Sequence, residues 1–206
     1  GQELASLLDA GTVDPQALRA CDAALADVHA ALPSAGEGSQ WGQAEATRAA
    51  IATNMRQAMD VESRQFGTGR IEALRPLVEA GLDTLLPWLM ARRASGHVRE
   101  CHGDLHCGNV VRWDGVLQAF DCLEFDPALR WIDVAQDVSF LLADLLARNA
   151  TPHAHAFLAG YLAQSGDYAA CRGLPLYQAH CALVRAKVMA LSAMEGRVEV
   201  PGFDAY

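Results

Sequence analysis

The sequence is poor in lysine, in paired cysteines and in long apolar runs, and each shortage excludes a class of function. Lys187 is the sole lysine among 16 basic residues, against 25 acidic ones, so the formal charge is −9. That balance excludes a nucleic-acid partner held by phosphate neutralisation. The most apolar stretch, residues 138–147, is interrupted by Asp144 and is far shorter than the ~20 residues that cross a bilayer. A membrane-spanning helix is therefore excluded. No basic segment followed by an apolar stretch opens the chain, so no secretory signal is read there. The cysteines Cys21, Cys101, Cys107, Cys122, Cys171 and Cys181 form no C-x-x-C pair and are too sparse for a disulfide scaffold. Reduced thiols in a cytoplasmic protein are the expectation. The first residue is Gly, not Met, which points to a cleavage scar or to a segment of a longer chain.

What is present is an ordinary globular composition, 51% apolar and 20% charged over 206 residues, enough for one substantial core. Leu18, Cys21, Leu25, Val28 and Leu32 recur at steps of three and four, the stripe of an amphipathic helix over residues 14–32, with Asp14 as N-cap and Pro15 at the first position. Further helices are predicted over 43–66 and over 70–93. The second of these shows Leu74, Leu77, Val78, Leu85, Leu89 and Met90 on one side, with Gly81 and Pro87 as points of bending. The helical period then disappears between residues 97 and 125. Two β-prone runs, 109–113 and 116–120, flank Asp114-Gly115, the strongest short hairpin signal. Helical periods return over 132–148, over 152–164 behind a Thr151 cap, and over 175–194, whereas 196–206 has none. The expected fold is α+β and mostly helical, with a small hairpin packed on a helical body. It divides into a helical region over residues 1–94, a loop and hairpin over 95–126, and a second helical region over 127–206.

The polar residues concentrate at the hairpin. The segment 101–111, CHGDLHCGNVV, places two histidines, Asp104 and Asn109 on a loop just ahead of the first strand, and Asp121 follows the second. The Asp114-Gly115 turn brings Asn109 and Asp121 side by side, an amide oxygen and a carboxylate suited to Mg²⁺, with Asp104 near the same ion.

This arrangement resembles the aminoglycoside phosphotransferase and choline kinase family, within the protein-kinase-like superfamily. In that family a loop of the form H-G-D-[LIV]-H-x-x-N precedes a hairpin ending in a metal-binding Asp. The segment from His102 to Asn109 matches every specified position, and Phe120-Asp121 supplies the metal-binding end of the hairpin. Trp131-Ile-Asp133-Val-Ala135 resembles the family's Asp-Leu-Ala element, and the helix ending at His29 is similar to a further family feature. The resemblance implies a protein-kinase-like C-terminal lobe that moves the γ-phosphate of ATP or GTP to a hydroxyl of a small molecule. It assigns Asp104 as the base that accepts the hydroxyl proton, and Asn109 and Asp121 as ligands of Mg²⁺ between the phosphates. His102 and Asp133 are assigned as supports of the loop. Two departures accompany the match. Glu124 stands three residues after Asp121, where many members carry an acid two residues after. No Gly-rich hairpin and no strand lysine cover a nucleotide, so the nucleotide-covering N-terminal lobe is absent from these residues and further domains are expected in the natural chain.

Other readings compete for the same residues. A polar turn with buried histidines is the plainest. A zinc site from Cys101, His102, His106 and Cys107 lacks the usual separated ligand pairs. A two-metal phosphohydrolase needs ligand motifs spread far along repeated strand and helix layers, which this pattern of elements does not offer. A non-catalytic kinase-like binding protein is the alternative from a different class. Asp137 reads as simple solvated acidity near a helix N-terminus. Arg130 reads as an ion-pair partner, and His153, His155 and His180 as ordinary helix residues.

Overall fold

The structure is a computed structural model and describes residues 1–194, with side chains to residue 192. The aperiodic stretch 196–206 lies outside the described residues. In chain order the elements are β1 (Gln2–Glu3), α1 (Leu4–Asp9), α2 (Leu18–Ala31), α3 (Ala44–Phe66), α4 (Arg70–Ala94), β2 (Val98–Glu100), β3 (Val110–Trp113), β4 (Val116–Ala119), β5 (Trp131–Asp133), α5 (Val134–Ala147), α6 (Thr151–Ser165) and α7 (Leu174–Met194), with short 3₁₀ turns between several of them. The fold is mostly helical α+β. No helix among the described residues is long and apolar enough to cross a membrane.

The hairpin forms in the predicted register. Asp114 and Gly115 take φ of 48° and 82°, the two left-handed positions of a type I′ turn, and Val110 pairs with Ala119 at the open end. A lone hairpin is marginal in water. Here β1 adds a third strand on β3, Gln2 opposite Arg112 and Glu3 opposite Val111. The adjoining α1 then buries Leu4 and Leu7 in the main core. A second, two-stranded sheet pairs β2 with β5. Neither that sheet nor β1 and α1 is legible in the sequence, because two- and three-residue strands carry no readable period.

The helices lie where their periods place them, with Leu18, Cys21 and Leu25 of α2 and Val78, Leu85 and Leu89 of α4 buried as expected, but part of each stripe is turned. In α2 the buried residues are Leu18, Cys21, Asp22, Leu25, Ala26 and His29, while Val28 is 52% exposed. In α4 Leu74, Leu77 and Met90 face solvent, and Ile71, Leu82, Trp88 and Arg92 are buried. Each helix is turned because a polar residue on its core side, His29 or Arg92, has a buried partner. Asp14 caps as expected, its carboxylate accepting from Gln16 N at 2.7 Å, although it opens a 3₁₀ turn ahead of α2. Thr151 is the first residue of α6 and makes no cap bond. Glu62, buried on α3, accepts from Arg70 N and Ile71 N at 2.9 Å each and so fixes the α3–α4 corner. Helix α5 is buried nearly all round, which makes it the central element.

Helices α2 and α6 approach closely at Gly160, where a Cβ would run into the Asp22 carboxylate. Asp22 is buried, and its Oδ2 has no hydrogen-bond partner among the described residues. Burial pushes its carboxyl up to about 6, against the opposing influence of the Ala23 amide and the Arg19 charge. A carboxyl whose folded value is raised binds its proton more tightly when folded. Stability therefore falls as pH climbs from the ordinary value of 3.8 through about 6, and the full penalty is present at pH 7. Asp22→Asn is expected to stabilise the protein by about 1 kcal/mol at pH 7, raising Tm by roughly 2–4 °C. The gain should vanish below pH 4 in thermal melts, and an equal gain at both pH values would refute the burial account.

Candidate active site

The loop from Cys101 to Asn109 is held from below by α5. Gly103 N donates to Asp137 Oδ1 at 2.8 Å and His102 N to Asp137 Oδ2 at 3.3 Å. Two helical turns further along, Asp144 accepts from Cys107 N at 2.8 Å. Seven residues advance a helix by about 10 Å on one face, so two buried carboxylates of α5 clasp the two ends of the loop. Asp137 also receives His29 Nε2 at 3.1 Å, and His29 Nδ1 meets the Tyr161 hydroxyl at 2.8 Å. Burial alone would raise the Asp137 carboxyl; the His29 hydrogen bond and charge, the His102 charge and the Gly103 amide outweigh it and hold the carboxyl below its ordinary value.

Gly103 stands at φ 83°, and a Cβ there would lie 2.8 Å from Leu129 O, so both conformation and space require glycine. The His102 ring ties the loop to the hairpin. Its Nδ1 accepts from Asp104 N at 3.3 Å and its Nε2 reaches Phe120 O at 2.8 Å, which selects the tautomer with hydrogen on Nε2.

The backbone places Asp104, Asn109 and Asp121 on neighbouring segments of the loop and hairpin. Asn109 Nδ2 donates to Asp104 O at 3.0 Å, and Asn109 Oδ1 accepts no hydrogen bond among the described residues. Phe120 N donates to Asn109 O at 3.0 Å, so Asp121 follows directly on the residue opposite Asn109. Asp121 has left-handed backbone, φ 60°, and an exposed side chain. The Asp104 carboxylate lies 3.5 Å from His106 Nε2, and His106 Nδ1 accepts from Gly108 N at 3.0 Å. Partial burial pushes the Asp104 carboxyl up, but His106 first, then the charges of Arg185 and His102, bring it below the ordinary value. It is a carboxylate at neutral pH, able to accept a proton.

Asp133 does not brace the loop. It caps α5 through Ala135 N at 2.9 Å and binds the buried Arg92 at 2.6 and 2.8 Å. Arg92 also grips Asp167 at 2.6 Å and lies 5.3 Å from the Trp88 ring centroid. At the helix N-cap the Asp133 side chain faces α4, whereas one turn later Asp137 lies under the loop. The bracing residue is therefore the one whose sequence context reads as solvated acidity. The signal that marks it is an acid repeated at seven residues inside an otherwise apolar helix. Arg130 reaches Glu100 at 3.7 Å and Cys101 O at 3.3 Å, the ion-pair role expected of it.

The four loop residues considered for zinc do not converge. Among the described residues the one group of three potential ligands that does is His29, Cys101 and Asp137. There His29 and Asp137 are already committed to each other and to Tyr161 and the loop, and Cys101 Sγ donates to Ile132 O at 3.6 Å.

With this geometry in hand, comparison with known proteins narrows the fold. The crystal structure of a glucosamine kinase aligns with 93% of this chain and 53% of its own, at a TM-score of 0.63 and 20% sequence identity. The fold is kinase-like. Within it, the loop and hairpin sit on a helical body of kinase C-lobe type. No protein-family model matches the chain. The uncharacterized proteins Mb2027c of Mycobacterium bovis and Rv2004c of Mycobacterium tuberculosis are each 36% identical over 108 residues, 52% of this chain. The match spans 22% of the length of those curated relatives.

Proposed function

We propose that these residues form the phosphotransfer lobe of a small-molecule kinase of the aminoglycoside phosphotransferase and choline kinase type, moving the γ-phosphoryl group of ATP or GTP to a hydroxyl. The observation that carries this reading is the junction of Asp104, Asn109 and Asp121, tied by the Asn109 Nδ2 bond to Asp104 O and the Asn109–Phe120 pairing. Asp104, ionised and oriented by His106, accepts the proton of the attacking hydroxyl. Asn109 Oδ1 and the Asp121 carboxylate are hard oxygens without partners among the described residues, the donor set that Mg²⁺ takes alongside nucleotide phosphates. Bound there, Mg²⁺ supplies charge neutralisation at the phosphates. His102 keeps Asp104 in register with the hairpin, and Asp137 keeps the loop in place, so the protein's contribution is positioning and electrostatics.

Beside Asp121 the hairpin leaves an apolar groove of about 400 Å³ lined by Val111, Trp113, Ala119 and Phe120. Trp113 and Phe120 are 57% and 43% exposed, aromatic surface of the kind a nucleobase stacks on. The glucosamine kinase, named for a sugar acceptor, supports a small hydroxyl compound as substrate. The test is transfer of labelled γ-phosphate by the full-length protein to a panel of hydroxyl acceptors. Acceptor-dependent ADP release is expected, and Asp121→Ala should raise the Mg²⁺ needed for half-maximal rate by about tenfold or more. No ADP with any acceptor overturns the reading, and unchanged Mg²⁺ dependence in a folded Asp121→Ala overturns the metal assignment.

A further inference from the structure

Among the described residues, Arg185 is a basic residue on the helical side of the loop that has no hydrogen bond or ion pair and whose Nε is buried. Arg92 is bound to Asp133 and Asp167, Arg130 to Glu100, Arg148 to Asp144, and Arg99 to the carbonyls of Ala30 and Leu32. Arg185 makes no hydrogen bond or ion pair among the described residues, and its Nε is buried without a partner. A buried guanidinium nitrogen left unpaired is costly unless something else completes it.

Its position says where that partner comes from. Cys181 Sγ donates to Gln136 O at 3.7 Å, so this face of α7 lies against α5 next to Asp137. Arg185 is one turn further along the same face, and its charge acts on both Asp104 and Cys107. Helix α7 packs on α3, α4 and α5, while Asn109 and Asp121 belong to the hairpin. Arg185 thus approaches Asp104 from the helical side, and the nucleotide and its metal approach from the hairpin side. On the phosphotransfer reading, the acceptor would meet Asp104 from Arg185's side. Lys187, on the same helix, bonds the neutral amide oxygens of Asn54 and Gln57, each at 2.8 Å.

We infer that Arg185 is the acceptor-specificity residue, and that the hydroxyl substrate carries a carboxylate or phosphate that pairs with its guanidinium. The inference rests on the phosphotransfer reading for the word acceptor, not for the anion site. Planar bidentate pairing is what a guanidinium offers both groups. It offsets the repulsion that Asp104 and Asp121 exert on an anion, and it disfavours acceptors that carry an ammonium.

The experiment has two arms on the full-length protein. In the first, inorganic phosphate is titrated into nucleotide-free, magnesium-free protein by calorimetry. Saturable binding is expected, weakened about tenfold or more in Arg185→Gln and less in Arg185→Lys. No binding, or equal binding by a folded Arg185→Gln, overturns the inference. In the second, D-glycerate and glycerol 3-phosphate are compared with glycerol, glucosamine and choline as acceptors. The anionic pair should be preferred, with the carboxylate-bearing and phosphate-bearing compounds separating the two sources. Arg185→Gln should raise KM for them about tenfold or more while kcat stays within about threefold. Preference for the amines, or a loss confined to kcat, overturns it. Arginine-dependent phosphate binding without any transfer would sink the kinase reading and leave the anion site standing.

Discussion

Asp104→Asn is expected to lower kcat for phosphoryl transfer by about 10²–10⁴-fold, the usual contribution of a positioned general base, with Tm within about 2 °C of the parent. The amide fills the same space, and the backbone carbonyl that receives Asn109 Nδ2 is untouched, so loop geometry survives while the proton acceptor is lost. The bond to His106 is long, 3.5 Å, and the carboxylate is only half-buried, so little stability depends on it. Burial raises the Asp104 carboxyl, and His106, Arg185 and His102 more than reverse that. The parent's kcat should therefore persist at acid pH below the ordinary carboxylate range and lose activity only as the base finally protonates. A rate that titrates near neutrality would assign the base to another group. Asp104→Glu moves the carboxylate without removing it and should retain more activity than the amide. Equal loss in both variants, with folding intact, would leave the proton without a role.

The hairpin, the loop and most helix spans are readable because their signals are local. Asp-Gly specifies a type I′ turn by conformation alone, and Gly103 is demanded by a positive φ at its own position. The gathering of Asp104, Asn109 and Asp121 follows from the turn and the strand register, both encoded within about twenty residues. The helix faces are less readable because they are settled by partners far away in sequence. Residue type alone gives His29, Arg92, Asp137 and Asp144 no reason to enter the core, yet all four are buried. Each is admitted to the core by a specific counterpart, His29 by Tyr161 and Asp137, Arg92 by Asp133 and Asp167, Asp144 by Cys107 N. A hydropathy pattern has no access to pairings over tens of residues. The misassignment of the loop brace to Asp133 has the same origin: Asp133 and Asp137 are four apart on one helix, and only the fold distinguishes the cap that faces Arg92 from the carboxylate beneath the loop.

Asp137→Ala should therefore be the most damaging single change to stability. It strips hydrogen-bond acceptors from His102 N and Gly103 N and leaves His29 Nε2 facing a cavity, all in a fully buried position. Removing one partner of such a buried network costs about 3–5 kcal/mol, equivalent to a Tm drop of roughly 6–20 °C for a domain of this size. The sign with pH follows from the depressed carboxyl: its contribution is fully present above the ordinary carboxylate value and is lost as pH falls through the lower folded value. The gap between parent and Asp137→Ala should accordingly be constant from neutral pH down to the ordinary carboxylate range and narrow only below it. Asp137→Asn keeps one acceptor for the loop and should fold well enough to assay. Because the loop amides bear on Asp104 and not on the acceptor pocket, its loss should fall on kcat with KM little changed. A double variant with His29→Ala separates the two halves of the network. Deleting His29 also removes the group orphaned by Asp137→Ala, so the double variant should be less destabilised than the sum of the single variants by about 1–2 kcal/mol. Strict additivity would mean that the His29 bond and the loop bonds are independent, and that the core reaches the catalytic loop by some route other than Asp137.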